Sequence, residues 1–198
     1  MKYLYTPYDI AVFFFAADFT KSIERAVLHD IWKNGNLPDK YRKDESLFRR
    51  HVYHDLSKFD GSLDDVDELN LLTRDTEHAF CIDGAVNEQG IVESYFKVIK
   101  LELTYLKGKD FRKIKLRSLL KQFGYKKRSA QLVAGIQHIL DALELKTYLK
   151  GYVSCDIAEI DIDDTLMIRL KTGKEPEKPP EAGNVNVEQR NDTPCLMP

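Results

Sequence analysis

Apolar positions recur at helical spacing through the first sixty residues. Thr20-Lys21-Ser22-Ile23-Glu24 offers a helix start, and Ile23, Val27 and Ile31 follow at intervals of four until Gly35 and Pro38 end the pattern. A second helix is expected over residues 44–58, with Leu47, Val52 and Leu56 apolar and Gly61 closing it. The aromatic stretch Tyr3, Tyr5, Tyr8, Phe13, Phe14, Phe15 and Phe19 stands beside Val12 and Ala16, which reads as core ahead of a docking surface. Residues 93–103 mix β-branched and aromatic residues with alternating charge, a pattern that suits a strand, with a helix as the alternative.

The order of elements then changes character. Lys113-Ile114-Lys115-Leu116 is strand-like, and a helix is expected over residues 117–123, with Gly124 where a helix end favours a left-handed residue. Ser129 is a good N-cap for a long helix over residues 129–145, whose apolar face is traced by Leu132, Val133, Ile136, Ile139, Leu140 and Leu143. Two β segments follow at 146–153 and 165–170, with Asp161, Asp163 and Asp164 between them. The pentapeptide Thr-Tyr-Leu-Lys-Gly occurs at 104–108 and again at 147–151, as two similar strand-to-turn corners would.

Strand, helix, turn, helix and hairpin, in that order, resemble a winged helix-turn-helix domain spanning residues 91–171. The resemblance implies a second helix laid in the major groove of duplex DNA, presenting Ala130, Gln131, Ala134, His138 and Asp141 opposite the apolar stripe. Gln131 and His138 would meet base edges. Lys126, Lys127, Arg128 and Ser129 precede or open that helix, where cations and unpaired backbone N–H groups suit a phosphate. Lys113, Lys115 and Arg117 complete the expected nucleic-acid-binding set. The acidic wing loop departs from the Lys and Arg that a DNA-contacting wing carries.

Charge sharpens this division. The net charge of −2 conceals residues 97–128, where twelve Lys or Arg face only Glu102 and Asp110, and residues 55–88, where ten carboxylates face Lys58 and Arg74. The expected fold is therefore α+β: a helical N-terminal domain (1–90) for dimerisation or partner contact, a winged-helix domain (91–171) and a disordered tail (172–198). The tail holds five of the seven prolines and lacks apolar periodicity. Three widely separated cysteines indicate no disulfide framework and fit a reducing cytoplasm, and the run Ile10 to Ala17 is too short to cross a bilayer.

One catalytic pattern stands out. His29, then His54-Asp55, resemble the ligand set of HD-type phosphohydrolases, in which an upstream His, a His-Asp pair and a later Asp bind a divalent metal that activates water. Asp64, Asp65 or Asp83 would supply the last ligand. His51 and Asp55 also share a helix face, as a surface hydrogen bond would need. Phosphate loops, dinucleotide fingerprints and serine-hydrolase elbows are missing from the sequence, and no cofactor is expected. The leading expectation is a DNA-binding regulator or accessory subunit, followed by a protein-docking adaptor and a metal phosphohydrolase.

Overall fold

The first helix shows how local chemistry fixes the start of the chain. In the computed structural model, which describes residues 3–17, 19–59, 81–82, 85–86, 88–125, 127–150 and 153–171 and only the backbone of 81–91, α1 spans Pro7–Ala17. Thr6 and Asp9 cap each other across its first turn. The Asp9 carboxylate accepts from Thr6 N–H at 2.8 Å, and the Thr6 hydroxyl accepts from Asp9 N–H at 3.2 Å. Pro7 takes the position where a missing N–H costs nothing.

Around α1 lie α2 (Lys21–Asn34), the single turn α3 (Asp39–Arg42) and α4 (Glu45–Ser57). Asp44 caps α4 by accepting from Leu47 N–H at 2.9 Å. The buried stripe of α2 is Glu24, Val27, Leu28 and Ile31, while Ile23 is 46% exposed. A spacing of four drifts by about 40° per step around a helix, so the core follows Val27, Leu28 and Ile31 and leaves Ile23 behind. In α4, Phe48 and Val52 are fully buried and Leu47 and Leu56 partly so. Gly61 lies outside the described residues. Of the N-terminal aromatics, Tyr8, Phe13 and Phe14 are core.

A short β1–β2 ladder (Cys81–Ile82 with Ala85–Val86) precedes α5, Glu88–Tyr105. Here the strand expected at 93–103 is corrected to a helix. The alternation was misleading because α5 is buried on nearly every side, packed on α1 and on the C-terminal elements, so it has no polar face for a 3.6-residue period to reveal. Its charges are satisfied in pairs. Buried Lys97 bonds Glu93 and lies 3.6 Å from the fully buried Asp9, and buried Glu102 meets Lys109 at 2.5 Å and Arg112 at 3.4 Å.

Beyond α5 come β3 (Arg112–Lys115), α6 (Leu116–Gln122), α7 (Ala130–Ala142), β4 (Leu145–Tyr148) and β5 (Thr165–Leu170). The strands form one antiparallel sheet in the order β3-β5-β4, with Ile114 opposite Leu166 and Thr147 opposite Ile168. Gly124 takes φ +79 after α6, and Ser129 accepts from Leu132 N–H at 3.2 Å to open α7, both as the sequence indicates. The repeated pentapeptide serves two different ends. Thr104 and Tyr105 finish a helix, whereas Thr147 and Tyr148 finish a strand.

One hydrophobic cluster runs from Tyr8 of α1 to Ile168 of β5 through Phe96 and Ile99 of α5. The molecule is thus α+β, helices with one small antiparallel sheet. Residue 90, the expected end of a first domain, falls in the first turn of α5. Residues 172–198 lie outside the described residues, and no described helix is long and apolar enough to cross a membrane.

Candidate nucleic-acid interface

The exposed strip of α7 follows from its buried stripe. Val133, Ile136, Ile139, Leu140 and Leu143 are buried, and at about 100° per residue the opposite side carries Ala130, Gln131, Ala134, His138 and Asp141, all of them exposed. Two segments border the strip. On one flank runs a strap, residues 153–164, that leaves the free edge of β4, passes the start of α7 and reaches α6 before entering β5. Cys155 N–H donates to Thr147 O at 3.2 Å, and the Thr147 hydroxyl donates to Cys155 O at 2.9 Å. Gln137 then bonds Asp156, and the Arg128 guanidinium donates to the carbonyls of Ile157 (3.0 Å) and Ile160 (2.6 Å). On the other flank, the Tyr3 ring meets the His138 ring edge-on at 6.4 Å. Tyr3 is held there because its carbonyl accepts from the Asn36 amide at 2.8 Å.

The expected cations are distributed unevenly. Lys127 is exposed beside the start of α7 and has no ion pair among the described residues. Arg117, at the start of α6, faces Asp163 side-on, with Nε to Oδ1 2.5 Å and Nη2 to Oδ2 2.7 Å. That pairing holds the Asp163 carboxyl below the usual carboxylate range. Lys113 and Lys115 are exposed and alternate with Ile114, so they leave the sheet on the side away from the buried Leu166 and Ile168. They are not assembled with the α7 strip. Lys113 instead lies over the Phe111 ring at 5.2 Å. Ser129 is occupied as the cap of α7, and Lys126 lies outside the described residues.

Comparison of the chain with protein-family models, with curated proteins and with solved structures gave no match. Its chemistry therefore rests on the residues themselves.

Asp161, Asp163 and Asp164 are evident in the sequence between the two β segments, whereas the course of the strap is set by distant contacts to Arg128 and Thr147. Residues 156–164 hold five carboxylates (Asp156, Glu159, Asp161, Asp163, Asp164) and no Lys or Arg. Several of them shape tight turns: Asp156 accepts from Ala158 N–H, Asp161 from Asp163 N–H and Asp164 from Asp161 N–H. The recurrence of Asp at turn spacing was the available signal.

The metal pattern is dispersed among other partners. His29 Nδ1 lies 3.2 Å from Glu45, and Asp55 pairs with Lys58 at 2.9 Å. His54 is exposed, and His51 bonds the Tyr41 hydroxyl at 2.8 Å instead of Asp55. Among the described residues no group of three or more His, Cys, Asp or Glu is placed to hold a metal ion. Asp64, Asp65 and Asp83 lie outside the described residues.

Proposed function

We propose that residues 88–170 form a winged-helix module that docks duplex DNA through the exposed strip of α7. The carrying observation is topological. Helix, strand, helix, helix, strand, strand follow one another, the last strand lies between the other two, and the outward face of the third helix is uncovered along its first turns. Ala130 and Ala134 permit close approach, Gln131 stands in the first turn where side chains reach base edges, and Lys127 lies beside the helix start, where a phosphate is favoured.

Docking in this mode is weak. The strap carboxylates oppose phosphates, and Arg117 and Arg128 already have partners within the protein. The reading is tested by adding a duplex to the full chain and following backbone amide resonances. Shifts are expected in Ala130, Gln131, Ala134 and Lys127, and their absence there contradicts the mode of docking.

The acidic strap favours a second reading, in which the same strip docks a protein partner. A duplex that shifts none of these resonances at low salt selects that alternative.

A further inference from the structure

Three helices end at one cleft. The last residues of α2, α5 and α7, among them Asn34, Tyr105 and Ala142, line a hollow of about 300 Å³ that Tyr3 and Tyr5 wall from the N-terminal segment. Each helix C-terminus carries a partial negative charge of about half an elementary unit. Glu144 adds a carboxylate, which Lys100 offsets from 3.3 Å. What remains is the field of the helix ends and the rings of Tyr5 and Tyr105, whose faces attract cations, while Tyr3 already lies under Lys97 at 5.9 Å.

Glu144 closes the end of α7, its N–H donating to Asp141 O at 3.0 Å and its carbonyl accepting from Lys171 N–H at 2.7 Å, and two further features mark this cleft. Glu144, the residue after the C-cap of α7, takes φ 57, the only non-glycine in the left-handed region among the described residues. Glycine is the residue favoured there, so a glutamate is held at a conformational cost. The Tyr5 hydroxyl, on the cleft wall, makes no hydrogen bond among the described residues. Burial, Asp9 and Glu144 push its pKa up, so it stays a neutral hydroxyl able to donate or accept.

We infer that this cleft binds a small organic cation with a flat apolar body, an arylalkylammonium by class, its ammonium beside Glu144 and its ring among the tyrosines. Leu101 and Ile31 supply apolar floor for that ring. The site is separate from the α7 strip, so it stands or falls independently of duplex docking.

The test uses the full chain with benzylammonium, benzyl alcohol and benzoate as probes, followed by amide resonances. Benzylammonium is expected to shift Tyr5, Thr104 and Ala142 saturably with a Kd of about 1 mM, near what so few heavy atoms sustain. Benzyl alcohol should bind about five-fold more weakly, and benzoate more weakly still. Glu144→Gly removes the carboxylate and relieves the backbone, so it should melt no lower than the parent while losing about three- to ten-fold in benzylammonium affinity. Benzoate binding as tightly as benzylammonium, an unchanged affinity in E144G, or no saturable shift at about 10 mM, ten times the expected Kd, would overturn the assignment.

Discussion

Arg117 and Asp163 meet as two parallel hydrogen bonds, Nε to Oδ1 at 2.5 Å and Nη2 to Oδ2 at 2.7 Å, between the first turn of α6 and the acidic strap. Both side chains are well exposed, so the pair adds little to stability. Its consequence is electrostatic, since it occupies a cation at the start of α6.

Asp163→Asn should therefore strengthen duplex binding. It removes one negative charge and releases Arg117, so the slope of log affinity against log salt should steepen by about 1 unit. Fluorescence anisotropy over a salt series reads this directly. A slope and affinity equal to the parent's would place Arg117 away from the duplex.

Lys127 and Arg128 are neighbours with different tasks. Arg128 ties the strap to the start of α7 through two carbonyls, and a hydrogen bond from a charged donor contributes about 1.5–3 kcal/mol. Arg128→Ala should lower the unfolding free energy by about that much, measured by urea denaturation. Lys127→Ala should leave stability within about 0.5 kcal/mol, as exposed substitutions do. Duplex binding should respond in the opposite order of directness, with Lys127→Ala making the salt slope shallower by about 1 unit.

The buried pair between α1 and α5 ties the two halves together. Lys97→Met leaves Asp9 fully buried without its cation, and breaking such a pair costs about 3–5 kcal/mol. Denaturant midpoints check this. A loss under about 1 kcal/mol would show that the Thr6 N–H alone suffices for Asp9.

Much of the C-terminal architecture was legible because its signals are local. Gly124 at φ +79, Ser129 as N-cap, the Val133–Ile136–Leu140 stripe and the strand at 165–170 are each set by residues within a few positions of one another. What escaped depends on distant partners. The helix at 88–105 has charges on every side because Asp9, Lys109 and Arg112 arrive from elsewhere to satisfy them. The Thr6–Asp9 cap is by contrast local, joining residues three positions apart. At the candidate site, the exposure of Gln131 and His138 followed from helical period alone. The engagement of Arg117 with Asp163, and of Arg128 with the strap carbonyls, joins residues 46 and about 30 positions apart. No sequence period reports such pairs.

The proposal that α7 docks duplex DNA is tested most directly by equilibrium binding of the full chain to a random-sequence duplex across salt. With Lys127 as the cation beside the strip that has no ion pair among the described residues, measurable binding is expected at about 50 mM salt with a slope of about −1. No detectable binding at about 50 mM salt would contradict it and leave α7 to a protein partner.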